Sequence, residues 1–191
     1  MEPDKIQNEK YFRFFEIRKE DVNKENRSIE LSFSSEDEVE RWYGMEILDH
    51  KKESVNLSRL NNSGALLLNH DTDKQIGVIE KAYISEQEQK GRAVVRFSRS
   101  GLGEEIYQDV LDGIRKNVSV GYRVEKLILV EKRKDVEVYR AVLWTPFEIS
   151  IVPIPADATV GVGRDDDRYD IENFQNKGQG QCQKINITLK I

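Results

Sequence analysis

Several residue types that mark particular classes of protein are scarce in this sequence of 191 residues. The single cysteine, Cys182, excludes an internal disulfide and a thiolate zinc site, and a reducing compartment fits that composition. The N-terminus lacks the apolar core of a signal peptide, and no apolar run approaches the length of a membrane span. The net charge is −5 and there is no basic arm. We therefore expect neither a membrane nor nucleic acid as a direct partner.

Short stretches of alternating apolar and polar residues make up much of the chain, and they predict β-strands. Residues 11–18 and 27–34 alternate in this way and together predict an N-terminal hairpin. Further strands are expected at residues 65–68, 75–84, 92–97, 118–131, 136–144 and 147–152. Residues 132–135 predict the tip of a hairpin, and Pro146 predicts a break between the last two strands.

Two helices are predicted among these strands. Residues 36–43 follow a capping pattern and end at Gly44, which favours a short helix. Residues 102–114 carry an apolar side chain at every fourth position, which is typical of an amphipathic helix. With about seven strands and no alternation of strand and helix, the sequence predicts a β-rich α+β fold, a small barrel or sandwich with helices packed outside.

The composition changes after Arg164, where aspartate, glutamine, asparagine and glycine become frequent. We therefore predict one domain over residues 1–164, with a core at about residues 11–160, and a flexible polar tail over residues 165–191. The last residues of that tail alternate again, which leaves open an added edge strand. A further expectation is that the tail is disordered or is removed by self-cleavage.

The stretch around Ser119 is the first candidate for chemistry. As a strand of period two, it directs Val118, Val120 and Tyr122 to one face, and Ser119 and Gly121 to the other. That arrangement presents a hydroxyl beside a residue that has no side chain. A serine is a poor nucleophile without a base, however, and Gly121 can equally mark a bulge.

His70 and Glu148 are the candidates for that base and for its partner. His70 follows the buried run 65–68, which gives a general base the rigid support it needs, although histidines at strand ends also cap turns. Glu148 shares one side of its strand with Ser150, opposite Phe147 and its apolar neighbours. A carboxylate in so apolar a strand must be paired or line a cleft. It is either half of a structural ion pair or the group that orients a catalytic histidine.

Metal and phosphate chemistry have weaker support in the sequence. His50, His70, Asp71 and Asp73 together could hold a cation, but their spacing matches no ligand pattern, and the two aspartates fit a turn better. Residues 101–103 lack the rest of a glycine-rich phosphate loop. The sequence predicts no cofactor and no metal site.

Taken in order, these motifs resemble the prohead maturation proteases of tailed bacteriophages. The resemblance extends over residues 11–164 and rests chiefly on Asn69-His70-Asp71, Ser119-Val120-Gly121-Tyr122 and Glu148-Ile149-Ser150-Ile151-Val152. Weaker matches are Phe33-Ser34-Ser35-Glu36, Glu46-Ile47-Leu48-Asp49-His50, Gly77, Asp112-Gly113-Ile114 and Pro155-Ala156.

The resemblance implies a serine endopeptidase whose fold is similar to herpesvirus assemblin, a β-barrel with outer helices. It puts the nucleophile at Ser119 and the histidine at His70. Assemblin has a second histidine as the third member, so that member is Glu148, at the acidic position of the phage motif, or His50. We favour Glu148, because the sequence places His50 at the start of a charged loop with no apolar support.

The resemblance also implies a setting. The substrates would be the major capsid protein precursor, its scaffolding segment and the protease itself, with the portal as a further candidate partner and self-association in the procapsid. The protein would act inside the assembling procapsid, in the cytoplasm of a bacterial host, encoded by a phage or prophage. Two other functions stay open at this point: a catalytically inactive procapsid scaffold, or assembly protein, and a metal-dependent hydrolase.

Overall fold

The computed structural model describes residues 11–16 and 22–153, and most of these residues lie in β-strands. The strands are β1 (Tyr11–Glu16), β2 (Val22–Asn23), β3 (Ser28–Ser35), β4 (Val39–Arg41), β5 (Gly44–Leu48), β6 (Ala65–Leu68), β7 (Asp71–Ser85), β8 (Lys90–Phe97), β9 (Asn117–Lys132) and β10 (Glu137–Val152). The helical segments are a 3₁₀ turn (Lys52–Ser54), α1 (Ser58–Asn61) and α2 (Gly101–Leu111). The β-rich α+β prediction is confirmed.

One sheet contains all ten strands, and β10 lies at its centre. The hydrogen-bonded order is β1-β9-β10-β6-β7-β8-β3-β2, while β5 pairs with β10 and β4 pairs with β5. β10 runs antiparallel to β9 along its whole length. On its other edge it pairs in parallel with β5 through residues 138–141 and with β6 through residues 149–151. This one strand therefore brings together segments that are far apart in the sequence.

The predicted N-terminal hairpin is wrong, because β1 pairs with β9 and β3 pairs with β8. β3 does form a small hairpin, but with the two-residue strand β2. Alternation along a strand says which side chains face the core, yet it does not say which strand lies alongside.

The helix predicted over residues 36–43 is also wrong, because β4 and β5 form a hairpin there. Gly44 has a φ of 132°, and a Cβ at this position would overlap the carbonyl oxygen of Glu137 in β10. Tertiary contacts outweigh the local helical preference. Glu46 of β5 is fully buried, where it meets Arg13 of β1 at 3.2 Å and accepts a hydrogen bond of 2.5 Å from the Tyr122 hydroxyl of β9.

The predicted break at Pro146 is wrong, since β10 continues through it. The Trp144 carbonyl oxygen accepts from the Asn56 N–H on the edge of β10 that faces away from β9. Pro146, two residues further on, directs its nitrogen to that same edge. It lies between the segments that pair with β5 and β6, so its missing N–H removes no ladder hydrogen bond with either strand.

Most of the other predicted elements are confirmed, some with different bounds. The strands at residues 65–68, 75–84, 92–97 and 118–131 and the hairpin tip at residues 132–135 are confirmed, as is the amphipathic helix, although it ends at Leu111 and Ile114 is exposed. In the described ranges the strand path does not return on itself, so a closed barrel stays a prediction. None of the described helices is long and apolar enough to cross a membrane. The predicted tail, residues 165–191, lies outside the described residues.

Candidate active site

The register of β9 against β10 builds one polar face in the middle of the sheet. Ser119 lies opposite Ser150, and Gly121 lies opposite Glu148. Directly opposed residues on neighbouring strands project to the same side, so these four residues share a face. Ser119 and Ser150 are fully buried, and Glu148 is 8% exposed. The opposite face of β9 carries Val118, Val120 and Tyr122 in the apolar core, as predicted.

A bulge in β10 directs Glu148 across β9. Tyr122 pairs with Pro146 and Gly121 pairs with Glu148, so Phe147 is an extra residue on β10. A Cβ on Gly121 would overlap Glu148 Oε1 and would lie 2.6 Å from a ring carbon of Phe147. The carboxylate and the aromatic ring therefore both lie over Gly121, and Phe147 does not simply share the opposite side with Ile149 as predicted. Glycine two residues after Ser119 therefore has a steric reason: a side chain at position 121 would overlap the Glu148 carboxylate.

His70 is held by a two-residue hairpin loop between β6 and β7. Leu68 pairs with Asp71, and the two loop residues, Asn69 and His70, have φ values of 55° and 59°. Positive φ at both central positions is the pattern of a type I′ turn, in which glycine usually follows asparagine. Histidine tolerates this region better than most residues, but it is still strained there. The loop fixes the position of the His70 backbone, from which the imidazole extends.

Hydrogen bonds then fix the imidazole itself. His70 Nδ1 lies 2.6 Å from Glu148 Oε1. Ser150 Oγ donates to Glu148 Oε2 at 2.7 Å and accepts from the His70 backbone N–H at 3.0 Å. The carboxylate accepts a hydrogen bond from the Nδ1–H, and in the neutral imidazole this tautomer leaves Nε2 as the acceptor. The sequence analysis placed Ser150 beside Glu148, on a strand of period two, but assigned it no role in the site.

Two strands flank the end of β10; Ser119 lies on one of them, and His70 lies in the turn that follows the other. Ser119 belongs to β9, on one edge, and His70 follows β6, on the other. The Ser119 hydroxyl is buried and makes no hydrogen bond with the part of the chain that the structure describes. The arrangement holds a hydroxyl, an imidazole with a basic Nε2 and a buried carboxylate, the set that nucleophilic acyl transfer uses.

Comparison with known proteins identifies the family of the chain. The family model of the caudovirus prohead serine proteases matches residues 15–173. The chain belongs to this family. A protein named major capsid protein, from Halomonas phage phiHAP-1, is 46% identical over 141 residues, which is 72% of this chain and 23% of the relative. This family member therefore spans about a quarter of the length of that curated relative. No solved structure matches it.

His50, the other candidate for the third position, lies in the apolar core of this prohead protease family member. Its side chain is 2% exposed, and its ring lies 5.6 Å from that of Trp144. Nδ1 donates to the Leu48 carbonyl at 2.8 Å, and Nε2 accepts from Ser34 Oγ at 2.7 Å. The expectation that His50 starts a charged loop without apolar support is wrong, because His50 is buried and the charged stretch starts only after it, at Lys51. Burial lowers the pKa of His50 to about 4.

The residues of the rival metal site have other partners. Asp71 accepts from the Asp73 backbone N–H at 3.0 Å and pairs with Lys74 at 2.9 Å, which is the predicted turn. In the described ranges, no three side chains of histidine, cysteine, aspartate or glutamate meet as a potential metal site.

The strained turn predicts an inverted order of stability for two variants. His70→Gly and His70→Ala lose the same imidazole contacts, but only glycine adopts a φ of 59° without strain. We expect the glycine variant to have the larger free energy of unfolding, by about 1 kcal/mol in urea denaturation. At Lys81, an exposed position within β7, the same pair should show the opposite order. A more stable alanine variant at position 70 would contradict the turn geometry.

The buried His50 predicts a component of acid sensitivity. Its pKa is about 4 when folded and 6.5 when exposed, so between those values the unfolded state binds more protons. The free energy of unfolding should therefore fall as the pH drops from 6.5 to 4, by about 3 kcal/mol from this residue. In His50→Gln that component should be missing. Urea titrations across this pH range measure it, and equal pH slopes for the two proteins would refute it.

Proposed function

We propose that this chain is a serine endopeptidase of phage capsid maturation, with Ser119, His70 and Glu148 as its catalytic triad. The observation that carries the proposal is the contact of 2.6 Å between His70 Nδ1 and Glu148 Oε1. It is made beside the strand that bears Ser119, in a chain that belongs to a serine protease family.

The chemistry follows from the direction of the hydrogen bonds. Ser119 Oγ attacks the scissile carbonyl carbon while His70 Nε2 takes the hydroxyl proton. Glu148 keeps the proton on Nδ1 and stabilises the imidazolium that forms. As the C–N bond breaks, His70 returns the proton to the leaving amine, and Ser119 is left acylated. A water molecule, deprotonated by His70, then attacks the ester carbonyl. As the ester C–O bond breaks, His70 returns that proton to Ser119 Oγ, which releases the product acid and restores the hydroxyl. Backbone N–H groups are expected to stabilise the oxyanion.

The proposed substrates are the precursor of the major capsid protein, its scaffolding segment and the chain itself. A relative at 46% identity carries the name major capsid protein, and this chain matches only 23% of it, which favours a link between this domain and capsid protein. We propose that the domain, residues 1–164, acts inside the procapsid in the bacterial cytoplasm, self-associates there and contacts the portal. The tail, residues 165–191, is then a candidate site of self-cleavage.

A barrel-like closure of the sheet is part of the same proposal. Its support is the approach of β1, at one end of the strand path, to β3, which is next to the other end. Arg13 of β1 donates to the carbonyl oxygens of Ser35 in β3, at 3.3 Å, and of Asp37, at 2.7 Å. Such a closure would make the fold similar to that of assemblin.

A second candidate function is that of a procapsid assembly protein without catalysis. Two observations favour it: the capsid name of the relative, and the complete burial of Ser119, whose hydroxyl must become accessible before it can attack a substrate. Mutation of the nucleophile separates the two functions.

Ser119→Ala should abolish cleavage while the protein stays folded. The variant loses only the hydroxyl, so we expect processing to fall by at least about a thousandfold. Co-expression with the capsid protein precursor, followed by mass spectrometry of the products, measures it, and circular dichroism provides the control for folding. Undiminished processing by folded Ser119→Ala would refute the assignment, and absence of processing by the wild type would favour the assembly protein.

Glu148→Gln and His50→Gln decide the third member of the triad. The amide at position 148 cannot stabilise the imidazolium and allows the wrong tautomer, so turnover should fall by about 10³ to 10⁴. His50 serves the core, so its variant should keep its turnover and lose only stability. Single-turnover cleavage by each folded variant measures both effects. An inactive His50→Gln beside a fully active Glu148→Gln would establish a serine–histidine–histidine site instead.

A further inference from the structure

Ser150 carries a buried hydroxyl that contacts both His70 and Glu148. It is fully buried, donates to Glu148 Oε2 at 2.7 Å and accepts from the His70 N–H at 3.0 Å. A serine hydroxyl has one proton to donate and two lone pairs to accept with. Here its proton and one lone pair are directed at the two residues whose mutual contact defines the site.

We propose that Ser150 is a positioning residue for the triad, an inference that rests on the proposed function. It acts first on the carboxylate. Glu148 contacts His70 through Oε1, so the direction of that contact depends on how the carboxylate is rotated. The hydrogen bond from Ser150 to the second oxygen fixes this rotation. It also satisfies an oxygen whose isolation in a buried site would be costly.

The second action is on the backbone of the strained turn. The parallel ladder between β6 and β10 ends as the Asn69 N–H donates to the Ile151 carbonyl at 3.0 Å. The next N–H, that of His70, bonds to the side chain of Ser150. The hydroxyl therefore extends the attachment of the turn to β10 by one residue, and it does so at the residue whose φ is 59°. Without it, the turn that carries the imidazole would lose one of these two hydrogen bonds to β10.

The substitution Ser150→Ala removes the hydrogen bonds to Glu148 and from the His70 N–H with little change in side-chain volume. For Ser150→Ala we expect kcat to fall by about tenfold to a hundredfold, by analogy with the residues that orient the ligands of metal sites, with the KM for a peptide substrate unchanged. The far-downfield ¹H NMR signal of an imidazole Nδ1–H shared with a carboxylate should be present in the wild type and be broadened or lost in the variant. His70→Gln, which removes the ring, assigns that signal.

Ser34→Ala is a matched control. Ser34 is also fully buried on a strand and also bonds to a histidine, His50, at 2.7 Å. Its variant should lose stability but keep kcat and the His70 signal. The proposal is overturned if Ser150→Ala keeps the wild-type kcat and the His70 signal, or if Ser34→Ala reduces kcat and that signal as much as Ser150→Ala does. The NMR signal needs no substrate. A wild type that cleaves nothing, with a signal that disappears in Ser150→Ala, would therefore support the positioning role and refute the protease.

Discussion

A buried carboxylate between two strands sets the conditions that the surrounding residues meet. Glu148 is almost completely buried, and a carboxylate in that position must have partners for both oxygens. One oxygen meets the imidazole of His70 and the other the hydroxyl of Ser150. The absence of a side chain at Gly121 leaves the space over β9 in which the carboxylate lies. The bulge at Phe147, the glycine at position 121 and the strained turn at His70 are three local irregularities, and all three position the contact between His70 and Glu148.

Glu46 is a second buried carboxylate, and it links strands of the sheet that carries the site. Glu46 is surrounded by cations and hydroxyls, with Arg13 at 3.2 Å, Arg41 at 3.4 Å and donors from Tyr43 and Tyr122. Burial alone would raise the pKa of the Glu46 carboxyl. The two arginines and the hydrogen bonds from the two tyrosines together outweigh burial and hold the pKa below its usual value. Burial beside this carboxylate raises the pKa of Tyr122 to about 12, so its hydroxyl stays protonated and donates. This network ties β1, β5 and β9 together, and β9 carries Ser119.

The sequence predicted the parts of the site that follow from periodicity. Ser119 and Gly121 lie opposite the core face of their strand, and the carboxylate expected at His70 is there, because period two and a buried charge are local signals. The partner of β1 and the hairpin at Gly44 were not predictable in this way. Both involve contacts between distant segments: Arg13 of β1 and Tyr122 of β9 meet at Glu46, and Gly44 lies against Glu137 of β10.

The left-handed turn at His70 was missed for a related reason. Asparagine followed by glycine would have signalled a hairpin, but histidine occupies the second position and hides the pattern. Pro146 misled in the opposite sense, since a strand break was expected where the structure has a continuous strand with a bulge one residue later. His70 belongs to the candidate triad and Pro146 lies two residues before Glu148, so both exceptions to the local rules fall at the site, where strain and irregularity are expected to concentrate.

The central claim is that Ser119 is a nucleophile activated by His70. A fluorophosphonate forms a covalent adduct with such a serine and needs no knowledge of the natural substrate. The account predicts a single adduct, located by peptide mass spectrometry at Ser119 and formed many times more slowly in His70→Ala. Labelling of Ser119 at the same rate in both proteins, or labelling only at other residues, would contradict it.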